Sequence, residues 1–194
     1  MPCRTLRQGF FTGGLMMGEK IIVDETTMNR TLTRLSHEII EHNPDVTSLC
    51  LIGIKRRGVP LAKIIKDNIE QFSNINVELG ELDITFYRDD LTMKYATPHL
   101  NESLISFDVN DKTIILVDDV LYTGRTARAA MEAIMSLGRP QSIQFAALVD
   151  RGHRELPIAA NYVGKNIPTS REEFISVRVS EIDGINEVAI KANA

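Results

Sequence analysis

The sequence predicts an α/β protein, a mostly parallel sheet flanked by helices. Apolar runs of strand length, among them "SLCLIGI", "TIILV" and "SIQFAALV", alternate from residue 20 onward with segments of helical period. The strand, helix, strand order implies parallel neighbours joined by right-handed crossovers. No Pro/Ser/Gly linker or internal repeat interrupts the alternation, so one domain is expected over 17–194, behind a disordered extension at 1–16. Met16 and Met17 stand directly before the first strand-like segment and offer an alternative start.

In order, "EKIIV" reads as a short strand. Asp24 is a fair N-cap for a helix reaching about His42, with Met28, Leu32, Leu35 and Ile39 on one face. "SLCLIGI" is a buried strand, followed after "KRRGVP" by the helix "LAKIIKDNIEQF". "ELDITFY" alternates as a half-buried strand does, with Leu82, Ile84 and Phe86 to one side. "SLISFDV" is expected to return beside it as the second arm of a hairpin, leaving 88–102 as a long polar loop. "TIILV" and "SIQFAALV" supply two more buried strands around a helix that ends near Gly138, ahead of Pro140.

Composition narrows the function. The 194 residues are 43% hydrophobic with a net charge of −4, enough for a sizeable core and without global attraction for phosphate polymers. Any nucleic-acid contact therefore needs a local basic patch. Cys3 and Cys50 are the two cysteines, which suits a reducing cytoplasm better than a disulfide scaffold, and no apolar stretch is long enough to span a membrane. A cytoplasmic location is the expectation.

In open parallel sheets ligands sit beyond the carboxyl ends of the strands, which selects the turns after Ile54, Val117 and Val149. The second of these is "VDDVLYTGRT". Gly124 lets a ligand approach the backbone, and helix-start amides, two threonine hydroxyls and the Arg125 guanidinium favour a phosphate monoester. Two carboxylates repel a bare phosphate, yet they accept hydrogen bonds from a vicinal diol. A sugar phosphate satisfies both halves of the motif.

"VDDVLYTGRT" resembles the phosphoribosyl-pyrophosphate (PRPP) motif of type I phosphoribosyltransferases. With "DITFYRDDL" and "LVDRGHRELPI" the resemblance, running from about Glu19 to near Glu181, points to one branch of that family. In that branch a uracil phosphoribosyltransferase, making UMP and pyrophosphate from uracil and PRPP, is joined to UMP-responsive, RNA-binding attenuation of pyrimidine-biosynthesis transcription. The resemblance implies the type I fold with a flexible hairpin loop and a small base-binding hood. It also implies that Asp118 and Asp119 hold the ribose hydroxyls and stabilise charge on the sugar ring, and that Val120, Leu121, Tyr122, Thr123, Gly124, Arg125 and Thr126 form the 5′-phosphate turn.

"GIKRRGVP" has G-x-x-x-x-G but Val59 where a nucleotide P-loop needs Lys, so the Walker reading fails. A turn carrying Lys55, Arg56, Arg57 and Gly58 suits pyrophosphate instead. Family members usually have Thr at the position of Arg56, whereas Arg57-Gly58 matches. The resemblance brings Arg88 to pyrophosphate on closure of the long loop, as a third catalytic residue beside the two acids; an exposed hairpin with a solvated Arg is the alternative. Mg2+ is expected to arrive with PRPP and water rather than in a protein cage, so no metal ligands are assigned.

Uracil recognition is assigned by the resemblance to Val149, Asp150 and Arg151, with His153 either beside it or structural. Arg30, Thr33, Arg34 and His37 make a basic stripe at helical spacing, by periodicity a solvated face. The resemblance implies instead that Thr33, Arg34, His37, Arg154 and Lys165 belong to a surface for pyrimidine-operon leader mRNA, near the interface of a homodimer or larger homo-oligomer. Family members commonly read "PIRAD" where this chain has "PIAAN", so Ala159 removes an expected phosphate contact. Two alternatives stay open: an RNA-binding nucleotide sensor with little turnover, and a phosphoribosyltransferase for another base.

Overall fold

A computed structural model describes residues 19–84 and 104–192. The extension at 1–16 and most of the long loop, Arg88 included, lie outside the described residues. The chain runs β1 (Glu19–Val23), α1 (Glu25–His42), β2 (Leu49–Ile54), α2 (Gly58–Ser73), β3 (Glu78–Leu82), β4 (Thr113–Leu121), α3 (Arg125–Leu137), β5 (Ser142–Asp150), β6 (Tyr162–Asn166), β7 (Glu173–Arg178), α4 (Ser180–Asp183) and β8 (Glu187–Ala192).

The main sheet has the order β3-β2-β4-β5-β6, with every pairing parallel. Strand alternation sorts its side chains into two cores. Leu49, Leu51, Ile115, Val117, Ala146 and Leu148 face Met28, Leu32, Leu35 and Ile39 of α1 and Leu61, Ile65 and Ile69 of α2. Cys50, Ile52, Ile54, Ile114, Leu116, Phe145 and Ala147 face the small residues Ala127, Ala130, Ala133 and Ile134 of α3. Each of the larger side chains so buried contributes roughly 1.5–3 kcal/mol of transfer free energy. As expected from the sequence, α1 starts at an Asp24 cap, whose carboxylate accepts from the Thr27 amide at 2.8 Å, and α3 stops before Gly138.

A second, antiparallel sheet of order β1-β8-β7 sits beside the first and carries α4. "EKIIV" therefore joins the C-terminal strands and not the parallel sheet. Within this hood Arg178 of β7 pairs with Glu19 of β1 and Glu187 of β8, and Asn186 ties it to the main body by donating to Glu25 of α1 at 3.1 Å.

The expected hairpin around the long loop lies partly outside the described residues, which stop at Ile84 and resume at Leu104. Its first strand is already in register with β2 from Glu78 and ends at Leu82. Among the described residues the return segment makes one bridge, between Glu81 and Leu104, with N to O distances of 3.0 and 2.9 Å. Beyond that bridge Ile105 and Phe107 lie over Gly80, whose missing side chain leaves room for them within 3.1 and 3.3 Å of an ideal Cβ.

Candidate active site

Three chain turns converge at the carboxyl ends of β2, β4 and β5. The first follows β2: Lys55 donates its amide to the Leu82 carbonyl at 2.9 Å, and Arg57 caps α2. Gly58 then packs directly on β4, where a Cβ would come within 2.3 Å of the Val117 carbonyl oxygen. Only glycine allows this approach, and it sets the basic turn beside the acids. Ile54, Lys55, Arg56, Arg57, Asp83, Asp118, Asp119 and Val120 line one cleft of about 470 Å3 with Thr126 at its far end.

Asp118 and Asp119 are successive on a strand, so their side chains leave opposite faces of β4. Both nevertheless reach that cleft, because it wraps the end of the strand. The Asp119 amide donates to Asp118 Oδ1 at 2.9 Å and the Val120 amide to Asp119 Oδ1 at 2.8 Å, which fixes both carboxyl groups before any ligand arrives. Burial pushes the Asp119 carboxyl above its usual range, against the opposing pull of the Val120 amide and the Arg57 charge.

The second cavity, of about 320 Å3, adjoins the first through Asp118. It is lined by Val120, Leu121, Tyr122, Thr123, Gly124, Arg125, Thr126 and Glu155, so every residue of the expected phosphate turn opens on it. Gly124 has φ 92°, a left-handed conformation that starts α3 sharply and turns its first amides toward the cavity. Glu155 was not anticipated from sequence. Its carboxylate accepts from Arg125 Nε at 2.8 Å, and its amide, with that of Leu156, donates to the Thr123 carbonyl at 3.0 and 3.1 Å. The loop after β5 thus braces the turn after β4.

Among the described residues no group of three or more His, Cys, Asp or Glu side chains is clustered to hold a metal ion directly. Asp83, Asp118 and Asp119 instead share the rim of the larger cleft. No helix among the described residues is long and apolar enough to cross a membrane.

The phosphoribosyl transferase domain model matches residues 19–181, the span that contains all three turns. The chain belongs to the phosphoribosyltransferase family. Among its relatives, the bifunctional protein PyrR of Clostridium novyi is 60% identical over 172 residues, covering 89% of this chain and 97% of that protein. The bifunctional protein PyrR of Caldicellulosiruptor saccharolyticus is 58% identical over 172 residues, 89% of this chain and 94% of the relative. In solved structures the fold is shared with the hypoxanthine phosphoribosyltransferase of Trypanosoma cruzi (TM-score 0.69, 17% identity, 91% of this chain and 98% of that one). It is shared also with the Staphylococcus aureus enzyme (TM-score 0.66, 18% identity, 90% and 92%).

In this phosphoribosyltransferase the expected base-side residues are bound mainly to the protein around them. Val149 is buried in β5. Asp150 accepts from the Gly152 amide at 2.9 Å and pairs with Arg154. Arg151 is 5% exposed; its guanidinium donates to Thr169 Oγ1 and to the Ser170 and Glu173 carbonyls at 2.8–3.2 Å, and lies 4.1 Å from the Tyr122 ring centroid. His153 takes φ 60° and its Nε2 donates to the Thr169 carbonyl at 2.6 Å, so this side chain fastens the backbone.

The residues assigned to RNA fall in two places. Arg34 donates to the Val163 and Gly164 carbonyls at 3.1 and 2.6 Å, joining α1 to β6, where Lys165 reaches the Ile22 carbonyl at 3.4 Å. Thr33 bonds back to the Asn29 carbonyl at 3.0 Å, and exposed His37 stacks on Phe72 at 4.2 Å. Arg154 is elsewhere: its guanidinium donates to the Tyr122 and Ile158 carbonyls, both at 2.8 Å, at the mouth of the phosphate cavity. In "PIAAN", Asn161 exchanges a pair of bonds with the Phe145 backbone, its Oδ1 accepting at 2.9 Å and its amide donating at 2.8 Å. A carboxylate there would accept the same bond, so replacing an acid by Asn161 leaves the backbone satisfied.

Proposed function

We propose that the protein transfers ribose 5-phosphate from PRPP to uracil, releasing UMP and pyrophosphate, and that it also binds pyrimidine-operon leader mRNA as a UMP-responsive attenuator. The observation that carries the first half is the adjacency of the two cavities through Asp118, one rimmed by amides and hydroxyls, the other by cations and acids. A ribose bearing a 5′-phosphate and a 1-diphosphate matches both. The second half rests on kinship with bifunctional PyrR proteins and on the Arg34, His37 and Lys165 surface.

In this reading the amides at the start of α3, with Thr123 and Thr126, hold the 5′-phosphate. Asp118 and Asp119 accept hydrogen bonds from the ribose hydroxyls. Lys55 and Arg57 take the diphosphate. The C1–O bond breaks with the electron pair leaving on pyrophosphate, and positive charge on the ring is met by the two carboxylates, already oriented by their amide bonds. Uracil N1 then forms the new bond at C1, and its proton passes to the departing pyrophosphate directly or through water. Mg2+, when bound to PRPP, neutralises part of the diphosphate charge, and Asp83, Asp118 and Asp119 offer anionic oxygen to its water shell. Arg88, from the loop after β3, closes on pyrophosphate and excludes water. Tyr122 and the backbone of the turn from Val149 to Arg151 face the uracil side in this reading.

An assay of purified protein with PRPP, Mg2+ and a panel of uracil, orotate, hypoxanthine and guanine tests the assignment. Uracil is expected to be consumed with stoichiometric UMP and pyrophosphate. Preference for another base would replace the substrate assignment, and absence of turnover with UMP-dependent RNA retention would leave a nucleotide sensor.

A further inference from the structure

The pyrophosphate turn is tied to the hood by one ion pair. Arg57 Nε donates to Asp183 Oδ2 at 3.1 Å and Nη2 donates to Asp183 Oδ1 at 2.8 Å, a two-point grip on one edge of the guanidinium. The same carboxylate accepts from the Val179 amide at 2.9 Å, so it is itself anchored at the start of α4. Among the described residues the opposite edge of the guanidinium, Nη1, has no hydrogen-bond partner, while Arg57 lines the cleft with Asp118 and Asp119. A flexible arginine has been given one orientation and left with two unspent N–H donors at the edge of the cleft. Asp183 comes from the far end of the chain, beyond the segment that matches the family model.

We propose that Asp183 is a positioning residue for pyrophosphate binding: it orients Arg57 so that its Nη1 edge meets the diphosphate of PRPP, and thereby links the hood to the leaving-group side of the site. The proposal rests on the phosphoribosyltransferase reading of the cleft. Three properties of the pair support it. The grip is bidentate, which fixes the plane of the guanidinium as well as its place. It leaves the arginine partly exposed, with 37% of its side chain accessible, so ligand can reach it without breaking the pair. The fold does not depend on this ion pair to hold the hood, because Asn186 donates to Glu25 of α1 and Val177, Val179 and Val188 are buried in the core that α1 and α2 share.

The test compares Asp183→Asn and Asp183→Ala with the unaltered chain, by calorimetric titration of PRPP, pyrophosphate and UMP in the presence of Mg2+ and by steady-state kinetics. Asp183→Asn keeps one oxygen, able to accept from the Val179 amide and from Arg57 Nε, but sets an NH2 group against Nη2 and so breaks one of the two points of the grip, while Asp183→Ala removes both. Affinity for PRPP and pyrophosphate is expected to fall by about tenfold or more, the scale of a misoriented binding group. UMP, which has no pyrophosphate, is expected to bind unchanged, and KM for PRPP is expected to rise with kcat little altered. Equal affinities for all three ligands in variant and unaltered chain would overturn the proposal. So would a parallel loss for all three, which marks a purely structural role, or tighter PRPP binding, which marks Asp183 as a competitor. If the unaltered chain binds none of the three, the family reading of the cleft fails and takes this inference with it, a result distinct from failure in the variants alone.

Discussion

Gly58 lies against the carbonyl of Val117 so closely that no side chain fits between them. This contact sets the spacing of the pyrophosphate turn and the ribose acids, because Gly58 opens α2 while Val117 immediately precedes Asp118. Gly58→Ala should cost roughly 1–3 kcal/mol through overpacking and lose PRPP binding, since relief requires α2 and β4 to part. Gly152 is the comparison. With φ 78° and nothing within 4 Å of its would-be Cβ, it pays only for backbone strain, so Gly152→Ala should cost about 1 kcal/mol. Urea unfolding and PRPP titration on the two variants check the contrast.

Asp119 carries a conflict between stability and function. Burial raises its carboxyl pKa, so the folded chain holds the proton to higher pH than the unfolded chain does. Between the ordinary value and the raised one, stability falls as pH increases; at neutral pH the ionised group is a net cost. Asp119→Asn keeps the acceptor for the Val120 amide and removes that cost. The variant should unfold at higher urea than the natural chain at pH 7 while turnover drops by about 10²–10³-fold. In the natural chain the acid limb of PRPP affinity should sit above the usual aspartate range, and in Asp119→Asn it should disappear.

Cys50 is shut in the core between β2 and α3, and burial pushes its thiol up to about 11. A buried, protonated thiol is inert. In the folded protein at pH 8 Cys50 should react with a thiol reagent only as fast as the molecule opens, whereas in denaturing urea it should react at once; peptide mapping after timed quenching follows the Cys50 peptide.

The basic residues assigned to RNA should separate into two classes. Arg34→Ala and Lys165→Ala are expected to weaken leader-RNA retention in filter binding and to shallow its salt dependence by about one ion each, with uracil turnover unchanged. Arg154→Ala should behave differently. Its guanidinium holds the Tyr122 and Ile158 carbonyls and pairs with Asp150. Its loss should destabilise the fold by about 1–3 kcal/mol and impair turnover along with RNA binding.

These contrasts show where sequence reading succeeded and where it stopped. Period-2 and period-3.6 patterns placed β2, β4, β5 and α1 to α3, because each buries a continuous apolar stripe whose spacing is visible in one dimension; β3 begins three residues before the expected "ELDITFY", and β6, half polar at the sheet edge, was not read as a strand. The turn from Val120 to Thr126 was equally plain, since its chemistry lies within a few consecutive residues. Glu155, Asp183 and the Arg151–Tyr122 stack gave no such signal. Each works through a partner distant in sequence, as Asp183 does with Arg57, and nothing in a local window marks that pairing. In the hood "EKIIV" was legible as a strand, but β7, β8 and the sheet they form with it were not, for a related reason. Their burial is shared between two faces, and "EKIIV" finds its neighbour in β8 at the other end of the chain.

The most direct test of the account is a crystal structure with PRPP and Mg2+ bound. The 5′-phosphate is expected at the start of α3, on the amides and hydroxyls of Thr123 to Thr126, with the ribose hydroxyls on Asp118 and Asp119 and the diphosphate toward Lys55 and Arg57. PRPP seated away from the end of β4, or reversed with its diphosphate on the α3 turn, would contradict it.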